Sequence, residues 1–89
     1  MQKVTKTQLK AFAKGRDRIT VELYPSKCGP GNQTWVTGYA ADVFLDGDQL
    51  VYRDAEGVHS FERLVTAFEV YNCNAELGKT VHYYLDLQQ

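Results

Sequence analysis

Ser60-Phe61-Glu62-Arg63-Leu64-Val65-Thr66-Ala67-Phe68-Glu69-Val70-Tyr71-Asn72-Cys73 is the stretch whose conformation decides the fold. Phe61, Leu64, Val65, Phe68 and Tyr71 recur at the i, i+3, i+4, i+7 spacing of one helix face, with Glu62, Arg63, Thr66 and Glu69 opposite. Ser60 stands where an N-cap belongs. Val, Thr, Phe and Tyr are also strand formers, so Phe68 to Cys73 could instead pair with the segment that follows. Over a window this long, period outranks propensity, and the stretch is expected to be a helix. The chain then reads as an α+β fold; a strand here would make it a mainly β half-barrel with one N-terminal helix.

Outward from this stretch the pattern is strand-like on both sides. Thr80 to Leu87 alternates Val81, Tyr83, Leu85 and Leu87 against Thr80, His82, Tyr84 and Asp86. Upstream, Asp54-Ala55-Glu56-Gly57 is turn chemistry, Gln49 to Arg53 a strand and Asp46-Gly47-Asp48 a hairpin turn. Thr34 to Leu45 reads as a long strand, bent or bulged at Gly38. Pro25 to Gln33 is turn-forming almost throughout and predicts an exposed loop. Arg18 to Tyr24 alternates again, with Ile19, Val21 and Leu23 on one side. Residues 5–14 predict a helix, capped by Thr5 or Thr7 and stopped at Gly15, with Leu9, Phe12 and Ala13 inward. The order α-β-β-β-α-β implies an antiparallel sheet of about four strands with two helices on one face.

Length and composition bound this to one small α+β domain over residues 1–89, since 44% hydrophobic and 24% charged residues are ordinary for a folded chain. Six Tyr, four Phe and one Trp carry much of the burial available to it. No stretch approaches the ~20 apolar residues of a membrane helix, and no apolar run follows the basic start. A cytoplasmic location with no membrane partner is expected. Asn32-Gln33-Thr34 then means nothing as a glycosylation sequon.

No cofactor, metal or catalytic set is expected. Cys28, Cys73, His59 and His82 are zinc-ligand types, but none shows C-x2-4-C or H-x3-5-H spacing. Cys28, beside Lys27 in a Gly-rich loop, is expected to be accessible, though no orienting group marks it as a nucleophile. The two cysteines read as free thiols, with a bridge left open. Gly29-Pro30-Gly31 lacks the phosphate-loop pattern and precedes a strand where a helix start is needed. Asp42, Asp46, Asp48, Asp54 and Glu56 match no calcium loop and suit hairpin turns.

Charge is the stronger signal. Residues 1–18 hold six Lys/Arg and one acid, a formal +5; residues 19–89 hold four Lys/Arg and ten acids, a formal −6. On a helix Lys3, Lys6, Lys10 and Lys14 fall within one arc of about 80°, a candidate nucleic-acid surface. The order α-β-β-β-α is similar to that of double-stranded-RNA-binding domains, which contact RNA with helix residues and a strand-connecting loop. The resemblance is in topology alone. That family's basic start of the second helix would fall on Ser60-Phe61-Glu62-Arg63, where Glu62 and one arginine stand, and the strand at 80–87 is extra. Both departures count against RNA binding.

The sheet face away from the helices is the second candidate surface. It would present Glu22, Tyr24, Asp42, Arg53, His82, Tyr84 and Asp86, with Val36 and Phe44 added by the long strand. Tyrosine among carboxylates suits a partner that offers arginine or lysine. The leading expectation is a non-enzymatic protein-binding module, similar in type to the anti-CRISPR inhibitors encoded by phages and mobile elements, that blocks a surface of a larger protein complex. The partner would itself be a nucleic-acid binder. Strand 80–87 is expected to be a sheet edge through which a homodimer could form.

Overall fold

The computed structural model describes residues 1–31 and 38–89. In chain order the elements are β1 (Gln2–Val4), α1 (Lys6–Ala13), β2 (Ile19–Pro25), β3 (Tyr39–Asp46), β4 (Gln49–Asp54), β5 (Gly57–Ser60), α2 (Phe61–Asn72) and β6 (Val81–Leu85). Residues 61–72 are therefore helical, as their period predicts, and the half-barrel alternative falls. Ser60 caps α2 by accepting from the Arg63 N–H, and Glu62 adds a favourable charge in its first turn. Thr5 and Gln8 form a reciprocal capping box at the start of α1. Gly15, at φ 81°, follows the helix in the left-handed region.

Among the described residues the sheet has six strands in the order β1-β6-β2-β3-β4-β5, two more than the sequence pattern predicts. β1 is three residues long, lies just before the predicted helix 5–14 and takes Lys3 out of the helical arc. β5 hides in the approach to α2, where Ser60 is both its last residue and the helix cap. All pairings are antiparallel. β6 lies between β1 and β2, so the expected sheet edge at 80–87 is interior; the true edges are β1 and β5. Tyr83–Leu85 pair on both sides, so that part of the strand offers no free edge to a second copy. The expected strand start at Thr34–Thr37, Val36 included, and the sequon lie outside the described residues.

Both helices lie on one face of the sheet. Ile19, Val21 and Leu23 of β2, Val43 of β3, Leu50 of β4 and Leu85 of β6 are fully buried with Leu9 of α1 and Phe61 of α2. Phe61 rests on Tyr83, with ring centroids 5.4 Å apart. Truncating a fully buried Phe of this kind costs about 3–5 kcal/mol.

The loop joining α2 to β6 packs on the loop after β2. Ser26 and Lys27 donate backbone N–H bonds to Thr80 and Leu77, and the Lys27 ammonium reaches the Ala75 carbonyl. Gly78 sits at this junction with φ 113°, and a Cβ there would lie 2.6 Å from the Ser26 nitrogen. Gly15 has a similar conformation in open space. Gly78→Ala is therefore expected to cost about 2–4 kcal/mol in urea unfolding, against about 1–2 kcal/mol for Gly15→Ala. Equal losses would mean that the two loops do not pack as described.

Candidate functional site

Both helices lie on one side, and among the described residues no helix covers the other side of the sheet. Register fixes what that face presents. Lys3, Tyr84, Glu22 and Ala40 lie in one row across β1, β6, β2 and β3. Tyr24 pairs with His82, Thr20 with Asp42, Phe44 with Val51, and Arg53 with Val58. Glu22, Tyr24, Asp42, Arg53, His82 and Tyr84 thus share the face assigned from alternation, and the exposed Asp86 follows directly on β6.

The face is not uniform, and its two ends differ in what they leave free. At one end Tyr24 is only 7% exposed: its ring meets Tyr84 edge-on at 5.4 Å, Gly38 packs against it, and its hydroxyl donates to Glu22 at 2.8 Å. Burial first, then Glu22, pushes the Tyr24 phenol above its ordinary range. Tyr84 carries Gly29 against its hydroxyl. Gly29 therefore roofs this end, and Cys28 beside it is buried at 4% exposure rather than accessible. Both cysteines are free. Burial, then Glu69, raises the Cys73 thiol, which disfavours the reactive thiolate. His82 is half-buried, and desolvation, with Lys3 adding to it, lowers its pKa.

The other end stays open. Asp42 accepts from the Thr20 hydroxyl at 2.7 Å and lies 3.8 Å from the Arg18 guanidinium. The Arg53 guanidinium stands 5.6 Å from the centre of the Phe44 ring. Asp17, Arg18, Asp42, Phe44 and Arg53 line a shallow hollow there. The Gln89 amide accepts from the Thr20 N–H at 2.6 Å and donates to its carbonyl at 2.9 Å, acting as one more paired residue beside β2.

The lysine arc does not survive folding intact. Lys3 belongs to β1 and points to the uncovered sheet face, beside His82 and Tyr84, not along α1. Lys6 is ion-paired with Glu62 of α2. Lys10 is half-buried, and Lys14, at the helix C-cap, is exposed. Arg16 lies over Phe12 at 3.9 Å, with a hydrogen bond to the Phe12 carbonyl.

One cluster escapes sequence reasoning because its residues come from a turn, a short strand and a helix. Asp54, Glu56 and His59 bring one ligand-type atom each to within 4.8 Å of one another. His59 Nε2 is 2.8 Å from Asp54, and the Arg63 guanidinium meets His59 Nδ1 and lies 3.8 Å from Glu56. Arginine only donates, so Nδ1 must accept and Nε2–H must donate to Asp54. With both ring nitrogens engaged, His59 ties Asp54 at the turn to Arg63 of α2 and braces the β4–β5 hairpin. The Asp54 carboxyl also accepts from the Glu56 N–H, closing the turn.

The hydrogen bond from His59, then that from Glu56, holds the Asp54 carboxyl below its ordinary range. A carboxyl depressed by folding stabilises the fold above its unfolded pKa of about 4, and that contribution is lost as the pH falls through the lower folded value. His59→Ala is expected to move the Asp54 titration, followed by carboxyl NMR, upward toward the ordinary range. An unmoved midpoint would separate His59 from the hairpin.

Comparison of the chain with protein-family models, curated proteins and solved structures found no match.

Proposed function

We propose that the protein is a non-enzymatic protein-binding module, acting by occupying a surface of a larger partner. The observation that carries this reading is the outer sheet face, with Phe44 and the exposed Val58 beside Arg53 and Asp42 at its open end. An aromatic flanked by arginine and an aliphatic residue is the composition of an interface centre, and a polar rim of Thr20, Asp42 and Asp86 surrounds it.

The narrower form of the reading is an anti-CRISPR-like inhibitor from a phage or mobile element that covers a nucleic-acid-binding surface of a host complex. Glu22, Asp42 and Asp86 would then stand where phosphates normally do. Glu22 and Asp42 already accept hydrogen bonds from Tyr24 and Thr20, so they would bind as preorganised acceptors rather than as free charges. A formal net charge of −1 argues against general mimicry of a duplex. The second reading, nucleic-acid binding by α1, rests on Lys10 and Lys14, since Lys6 is engaged and Lys3 faces elsewhere.

Affinity capture from host lysate, compared between the parent chain and variants of verified fold, tests this directly. Phe44→Ala and Asp86→Lys are each expected to weaken capture of a defined partner by roughly tenfold, the loss of an interface anchor. Capture that survives both would overturn the assignment to this face. Steep salt-dependent binding to duplex RNA or DNA, lost in a Lys10→Glu, Lys14→Glu double variant, would put the nucleic-acid reading in its place.

A further inference from the structure

Strands β3 and β4 part company along their length. Their ladder runs from Asp46↔Gln49 at the turn to Phe44↔Val51 and stops. Beyond that point Tyr39 to Val43 pair only with β2, and Tyr52 to Asp54 pair only with β5. In an antiparallel strand alternate residues turn their N–H and C=O to opposite sides, so each segment directs backbone groups into the wedge between them. Among the described residues no strand occupies that wedge. Such an opening inside a sheet is a template for a further strand.

Its two sides differ in chemistry. On the helix side the wedge opens into an apolar groove lined by Tyr39, Leu64, Ala67, Phe68 and Tyr71. Tyr71 is 84% exposed and Tyr39 52% exposed, although both border buried core. On the other side lie Asp42 and Arg53, shared with the hollow around Phe44. Asp42 is engaged by Thr20 and Arg18, whereas Arg53 makes no ion pair among the described residues. Ala40 and Ala41 keep the β3 rim low, so another backbone can approach it closely.

The geometry points to strand addition: an extended segment of a protein partner pairs with the free edge of β3 at residues 39–42. Side chains of a strand alternate between its faces, so this segment carries apolar residues at every second position to fill the groove. A carboxylate among the intervening residues meets Arg53. This inference rests on the protein-binding reading above and names the chemistry of the partner.

The probe is a synthetic eight-residue peptide alternating valine and glutamate, titrated into the isotope-labelled full chain by NMR. Controls are a valine–lysine peptide and a block-ordered peptide of the same composition. Shifts are expected at residues 39–42 and 52–54 and at Leu64 and Tyr71, with at least fivefold weaker binding for both controls. Arg53→Glu is expected to weaken the glutamate peptide at least tenfold and to favour the lysine one. Tyr71→Glu, at an exposed position that spares the fold, is expected to weaken every peptide. No shift at the wedge at millimolar peptide, or equal binding of the block-ordered control, overturns the inference. So does a concentration-dependent dimer whose contacts occupy the same residues, since the wedge would then hold a second copy. Capture lost in Phe44→Ala but untouched by Tyr71→Glu would leave the module reading standing and remove the wedge. Capture untouched by all three variants would move the module's binding surface off this face, and a parent chain that captures no partner would remove the module reading itself.

Discussion

Strand β2 hydrogen-bonds on both sides, to β3 and to β6, and its inward residues Ile19, Val21 and Leu23 are fully buried beneath the helices. That double pairing is the constraint on which the other elements depend. Because side chains alternate, a slip of one residue would turn three core side chains to solvent and bring Thr20 and Glu22 inside. Burial thus fixes the register of β2, and β2 fixes that of β3 and β6. β6 in turn holds β1, bringing residues 2–4 against a strand more than seventy positions away in sequence. Contacts of that separation cost loop-closure entropy before they contribute, so the sheet centre is expected to form together with the helices that cover it.

The same arrangement decides what is left for function. Two short helices cover one face of the six described strands and leave the other without a helix. Part of it is closed by the chain itself, through Tyr24, Tyr84, Gly29 and Gly38. The remainder, around Phe44 and Arg53, merges with the split between β3 and β4. The charge division of the sequence is also redistributed by folding. Lys6 meets Glu62, an exposed pair worth little in stability, yet it joins α1 to α2 and spends one of the lysines that a phosphate would need.

Much of this was legible in the chain. The period of residues 61–72, the Ser60 cap and the alternation of residues 19–24 and 81–85 each point to the element observed, and alternation alone assigns Glu22, Asp42, Arg53, His82 and Tyr84 to one face. β1 and β5 were not legible because three or four residues carry too little periodicity to stand out from a lysine run or a turn. The burial of Tyr24 and Cys28 was hidden for a different reason. It comes from a loop folding back on the sheet, and Gly38, read as a bend, acts as the space that lets Tyr24 fit. The His59 brace and the wedge are tertiary: nothing local says that a ladder stops after three pairs.

Amide hydrogen exchange followed residue by residue tests the account at its centre. β2 and β6, paired on both sides, should contain the slowest amides. Within β3 the account predicts an alternation over residues 39–42, slow where the N–H meets β2 and fast where it faces the wedge, with the protected side changing from β2 to β4 at Phe44. Uniformly slow exchange along all eight residues of β3 would contradict it, because the split between β3 and β4 would then be closed.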